Sequence, residues 1–136
     1  MNAVISDPTA LAVDSSGNLF VADRGNARVR LIDNVTGIIS TVAGSGIFAS
    51  RGDGGLALSA SFQDLAGLVV DASGSLWISD NGAHVVRKVD SRTQIISTVA
   101  GNRSEAVIDD GVPATATTLR SPEGIAAPES ANGSVS

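Results

Sequence analysis

Apolar residues in this chain come in short bursts. The stretches 10–14, 19–23, 28–33 and 38–43 are each four to six residues rich in Val, Ile, Leu, Ala and aromatics, and each is bounded by Gly, Asp, Asn or Ser. Bursts this short, fenced by turn residues, predict β-strands rather than helices. The spacers Ser15-Ser16-Gly17-Asn18 and Gly25-Asn26 have hairpin length, and a polar turn precedes residue 38. Several bursts are apolar at successive positions, as in Leu11 to Val13 and Leu19 to Val21. A strand without alternation is expected to be covered on both faces.

The pattern then returns. Ala10 to Asp23 reappears as Gly67 to Asp80, and Ile38-Ile39-Ser40-Thr41-Val42-Ala43-Gly44 reappears unchanged as Ile95-Ile96-Ser97-Thr98-Val99-Ala100-Gly101, both at a shift of 57 residues. Laying 1–57 on 58–114 without a gap gives 25 identical pairs, far above what unrelated segments give. A third copy starts, with Asp110-Gly111 matching Asp53-Gly54, Leu119 matching Phe62, and Gly124 to Ala127 matching Gly67 to Val70. It stops at Pro128, where Asp is due. The repeats therefore occupy 1–127. The first four-stranded unit covers about 8–44, followed by a connection at 45–66, and the second covers about 65–101, followed by a connection at 102–123. The opening strand of a third unit falls at 124–127, and a disordered tail is expected over 128–136. Four-stranded antiparallel meanders covered on both faces must stack on like sheets, which predicts an all-β, partial β-propeller: two blades plus the inner strand of a third.

These residues resemble the NHL repeat family of β-propellers. The likeness rests on Leu11 to Asp23, Gly25 to Arg30, Gly37 to Gly44 and Gly52 to Gly55, and on their second copies, including Gly82 to Lys88. At the family's Asn-His signature the first copy has Asn26 without the His, and the second has His84 without the Asn. The resemblance covers 7–127 and implies the fold. It does not single out a function, because the family's fold carries adhesion and scaffold modules, RNA binders and lyase- or lactonase-like enzymes.

Composition narrows the choice. The chain has 136 residues, a net charge of −5 and no cysteine, which excludes a disulfide framework, a thiolate metal site and a cysteine nucleophile. Acids outnumber bases, Tyr is absent and aromatics make up 3%, so a nucleic-acid partner is not expected. No apolar run is long enough for membrane insertion, and no basic-then-apolar leader follows Met1. Of the fourteen acids, eleven are Asp, the acid that suits turns. Asp14, Asp23 and Asp33 recur as Asp71, Asp80 and Asp90, each at a strand end, where a carboxylate is expected to accept backbone N–H bonds.

No catalytic, metal or cofactor-binding residue is assigned, and no cofactor is expected. His84 is the one histidine and by itself cannot supply a multi-His metal site. Leu11, Val13, Leu68 and Val70 stand at inner-strand positions where a propeller enzyme would need polar groups. The residues picked out for partner binding are the turn residues Arg24, Asn26, Arg28, Asn81 and His84. Asn34 and Asn102 head sequons for glycosylation on a secretory route, as does Asn132, though one or two such motifs are expected by chance; the sequence assigns no compartment beyond a weak lean to an extracytoplasmic one. Arg51-Gly52-Asp53 spells an adhesion tripeptide, but only its Asp-Gly turn pair recurs, so a turn is expected there. Arg28, Arg30, Arg87 and Lys88 are expected to pair with Asp on neighbouring strands. The leading reading is a non-catalytic interaction or scaffold module, a fragment of a longer propeller, that binds a protein or glycan through its loops. The alternative is part of a lactonase- or lyase-like propeller enzyme whose catalytic residues lie outside this chain. Two blades leave sheet flanks uncovered, so the rest of a longer propeller, or self-assembly into a closed ring, is expected to cover them.

Overall fold

A computed structural model describes residues 4–101. The connection at 102–123, the strand at 124–127, the tail at 128–136 and the Asn102 and Asn132 sequons lie outside the described residues. Eight strands form two sheets. The first sheet holds β1 (Pro8–Val13), β2 (Leu19–Asp23), β3 (Arg28–Ile32) and β4 (Ile39–Ala43). The second holds β5 (Leu65–Val70), β6 (Leu76–Asp80), β7 (Val85–Val89) and β8 (Ile96–Ala100). Each sheet is a meander in sequence order with every pairing antiparallel. Among the described residues the two sheets do not close into a ring.

The register carries the repeat into space. Leu11, Val21, Arg30 and Thr41 are paired in one row across the first sheet, and Leu68, Ile78, Arg87 and Thr98 form the same row in the second. Residues paired across strands share a face, so these rows mark equivalent faces. The opposite face of the first sheet carries Ala12, Phe20 and Leu31 in one row and Ala22 with Val29 in another. That face stacks on the Leu68 face of the second sheet. The shared core contains Phe20, Ala22, Val29 and Ala43 on one side and Leu68, Leu76, Ile78, Val89 and Ile96 on the other.

The stacking is not symmetric in its consequences. Leu68 is 4% exposed because the first sheet lies on it, whereas its counterpart Leu11 is 64% exposed and Val13 is 60% exposed. Leu11 and Val13 lie on the flank that two stacked blades are expected to leave uncovered. Among the described residues no sheet lies on that side.

The connection between β4 and β5 fastens the sheets together. The N–H of Gly44 donates to Ala57 O (2.9 Å) and the N–H of Ser45 to Ala60 O (2.8 Å). A 3-10 turn at Ala57–Ser59 follows, and Ala57, Ala60 and Phe62 enter the core. Just before that turn, the connection runs beside the start of β8: Gly54 N–H donates to Ile96 O (2.7 Å) and Ile96 N–H to Gly55 O (3.0 Å). Gly44 and Gly101 close the fourth strands at φ +99° and +89°, where an added Cβ would meet Ala27 O at 2.5 Å or His84 O at 2.3 Å. Glycine is the residue that fits both the backbone angle and the space.

Candidate functional site

The two ends of the sheets differ in kind. One rim carries the turns after β1, β3, β5 and β7, each organised by an aspartate. Asp14 accepts from the N–H of Ser16 and of Asn18 (both 2.9 Å), and Asp71 from the N–H of Ser73 and of Ser75 (both 3.0 Å). Asp71 also accepts from Trp77 Nε1 (2.8 Å). Asp33 accepts from the N–H of Val35 and Thr36, and Asp90 from the N–H of Arg92 and Thr93. At Asp33 the N–H of Thr36, then that of Val35, holds the carboxyl below its ordinary value, and at Asp90 Arg92 and Thr93 do the same. At Asp14 and Asp71 burial pushes the pKa up, but the bonds from Asn18 and from Trp77 and Ser73 outweigh it, and both end lowered.

The opposite rim carries the turns after β2 and β6. Here the repeated acids are buried staples. Asp80 accepts from the N–H of Gln63 (2.8 Å), Asp64 (2.9 Å) and Ala83 (3.1 Å), tying the entrance of β5 to its own turn. Asp23 does the same with Ser6 N–H (2.8 Å) and Asn26 Nδ2 (2.9 Å), and it also takes Arg30 Nε at 3.1 Å.

Between the sheets on this second rim lies a polar cleft of about 290 Å³, lined by Thr9, Arg24, Asp64, Leu65, Ala66 and Asn81. Arg24 sits in the 3-10 turn Arg24–Asn26 with its side chain 44% exposed. Its Nε contacts Asp64 across the cleft, and Nη1 lies 3.4 Å from Asp7. Thr9 Oγ1 donates to Leu65 O (2.9 Å). The backbone N–H of Asn81 donates to Asp64 O (2.8 Å), while its side-chain Oδ1 is buried with no hydrogen-bond partner among the described residues. An acceptor left like this is costly, and a donor brought into the cleft would relieve the cost.

The residues picked out from sequence therefore divide. Arg24 and Asn81, equivalent positions of successive repeats, meet in one cleft. Asn26 is on the same rim, but its amide is spent on Val4 O (2.8 Å) and Asp23. Arg28 donates through Nη2 to Ser45 O (3.2 Å) and holds the connection. His84 occupies a left-handed turn position (φ 59°), as does its counterpart Ala27 (φ 51°). Asn34 is on the aspartate-turn rim, and its Nδ2 donates to Ser16 O (3.2 Å), so a glycan there would displace that bond.

One cluster was not anticipated from the sequence. Arg87, expected to pair with an Asp on a neighbouring strand, instead reaches the connection. It is fully buried, with Nη2 3.0 Å from Asp53 Oδ1, Nη1 donating to Ser61 O (2.7 Å) and Nη2 also donating to Arg51 O (2.8 Å). The guanidinium lies 5.2 Å from the Phe62 ring centroid, and Asp53 also accepts from Thr98 Oγ1. The Arg51-Gly52-Asp53 tripeptide is thus an internal clip, its carboxylate turned onto Arg87. Lys88 likewise departs from the Asp pairing and lies 4.9 Å over the Trp77 ring. The available signal was the joint recurrence of Arg30/Arg87, Thr41/Thr98 and Asp53/Asp110 at one shift.

Four-stranded antiparallel meanders stacked face to face around a first-strand contact are blades of a β-propeller. Residues 6–30 match the model of the NHL repeat. NHL repeat-containing protein 2 of Bos taurus is 30% identical over 113 residues, covering 82% of this chain, and the Homo sapiens protein is 28% identical over the same length. This chain belongs to the NHL repeat family. It spans only 15% of the length of those curated relatives. Among solved structures, a Bacteroides thetaiotaomicron protein of unknown function aligns with a TM-score of 0.72 at 18% identity, covering 88% of this chain and 42% of that one. Virginiamycin B lyase of Staphylococcus aureus aligns with a TM-score of 0.54 at 15% identity, over 96% of this chain and 33% of the lyase. At such identities the likeness is one of fold.

Proposed function

We propose that the chain is a non-catalytic interaction module, a portion of a longer NHL-type propeller, that binds a protein or glycan through the loops of the rim carrying Arg24 and Asn81. The observation that supports this is the convergence of two repeat-equivalent turn residues on one polar cleft between blades. Arg24 presents a half-exposed cation flanked by Asp7 and Asp64, and Asn81 contributes an acceptor that lacks a donor among the described residues. Hydroxyl groups and peptide amides are the chemistry that such a cleft receives: donors for Asn81 and Asp64, acceptors for Arg24. The other rim offers little, because its carboxylates are already occupied by their own turns.

The test compares the chain with its Arg24→Glu variant on a glycan array and in pull-downs against candidate protein ligands. Binding that is lost in the variant while the thermal melt is unchanged supports the reading. Binding indifferent to Arg24, or turnover by the chain in a panel of lactonase and lyase assays, overturns it.

A further inference from the structure

The wedge between the two stacked sheets also opens on the aspartate-turn rim. A cavity of about 240 Å³ lies there, walled by Phe20, Leu31 and Val42 of the first sheet and by Leu76 and Val89 of the second. Gly74, Ser91 and Gln94, all in turns, border its mouth. No Asp, Glu, Lys, Arg or His lines it. Phe20, Leu76 and Val89 are buried, and Leu31 and Val42 pack against the same core. Protein interiors are ordinarily filled, and a space this apolar gives water too few partners to hold it.

Departures from the repeat make this space. Phe20 and Leu31, paired in register, stand where the second copy pairs Trp77 with Lys88. Those two are bulkier, and Lys88 lies over the Trp77 ring. At the mouth, Ser91 stands where the first copy has Asn34. A Cβ on Gly17 would lie 2.9 Å from Asn34 Nδ2, whereas one on Gly74 would meet only Ser91 Cβ, at 3.6 Å. The shorter side chain leaves room beside Gly74. Gln94 borders the mouth in a left-handed conformation (φ 63°) where the first copy has Gly37, and its Nε2 donates to Ser91 O (3.0 Å). A side chain kept at such a backbone angle beside a cavity is a mark of a site.

We propose that this cavity binds a free, uncharged aromatic small molecule of the size of indole. An apolar cavity of about 150 Å³ takes benzene, so this larger one has room for a bicyclic ring, and Phe20 offers that ring a partner to stack against. A charged ligand finds no counter-ion in the lining. Asp71 and Asp90, at the same rim, already accept N–H bonds from their own turns, so the border offers little to a peptide backbone. The site lies on the rim opposite the Arg24 and Asn81 cleft and stands whatever that cleft binds.

The experiment titrates the full chain with indole and follows its methyl resonances by NMR. The methyls of Leu31, Val42, Leu76 and Val89 should shift saturably, and those of Leu11 and Val13, on the far face of the first sheet, should stay. Indoleacetate, the same ring with a carboxylate, should bind at least tenfold more weakly, and so should N-acetyltryptophanamide, the same ring on a peptide. Two variants fill the cavity: Phe20→Trp combined with Leu31→Lys, which copies the second repeat, and Leu31→Phe, which keeps the wall apolar. With circular-dichroism melts confirming that each folds, both should weaken indole binding by tenfold or more. No saturable shift up to the solubility limit of indole overturns the proposal. Shifts confined to other residues, unchanged affinity in the folded variants, or equal binding of indoleacetate or N-acetyltryptophanamide overturns it as well.

Discussion

The two sheets are near copies in sequence and unequal in environment. Leu68 and Leu11 are the same residue at the same register, yet one is buried and the other open. Arg87 is enclosed by the connection, with Asp53, two carbonyls and an aromatic ring around it, while Arg30 has Asp23. The difference teaches that burial in a stacked repeat belongs to the neighbour and not to the residue: each blade supplies a surface that only the preceding connection and sheet can complete.

The sharpest way to break the comparison is at the paired arginines. Arg87→Ala should cost about 3–4 kcal/mol, because a fully enclosed cation leaves Asp53 and two carbonyls without their donor. Arg30→Ala should cost about half that, the loss of one charged hydrogen bond to Asp23. Urea denaturation of both variants measures the gap, and equal costs would refute the asymmetry. Next in size are the paired leucines. Leu68→Ala should destabilise by about 2–3 kcal/mol as a core truncation, and Leu11→Ala by less than about 0.5 kcal/mol in the chain as a monomer.

Acid should erase the comparison instead of sharpening it. Asp14 and Asp33 in the first sheet match Asp71 and Asp90 in the second, and all four carboxyls are held below their ordinary 3.8. A lowered folded-state pKa means that the unfolded chain takes up protons first. The stability these groups contribute is complete above about pH 5 and is lost as pH falls through 3.8 and on through the folded-state values. Thermal melts from pH 7 to pH 3 should show a plateau and then a fall, with amide exchange in both aspartate-turn rims rising together. The smallest effect lies at the turn after β7, where Gln94 has φ 63° and its counterpart Gly37 has φ 71°. Gln94→Gly relieves a left-handed side-chain conformation at the loss of one exposed bond to Ser91 O, for a net gain of a few tenths of a kcal/mol, roughly, read as a small rise in Tm.

Most of the local architecture was legible in the sequence. Burst length, turn residues and the 57-residue shift predict eight strands in two meanders, and the strands fall within two residues of the predicted starts. The aspartate turns were legible for the same reason, since Asp14 and Asp71 act on N–H groups within four residues of themselves. Of the rim residues, Arg24 and Asn81 stand out in the sequence as turn positions, but nothing in it says that they share a cleft while Asn26 and Arg28 are spent on holding the chain.

Sequence by itself determined what depends on neighbours along the chain: strands, hairpins, turn chemistry and the identity of the repeat. Tertiary structure alone decided which copy of an apolar row is covered, that Arg87 meets Asp53 across 34 residues, and that Arg24 crosses to Asp64 of the next blade. The reason is physical. Strand and turn preferences are properties of a few consecutive residues, whereas desolvation and charge pairing depend on which surface comes to lie opposite, and two identical sequences can face different surfaces.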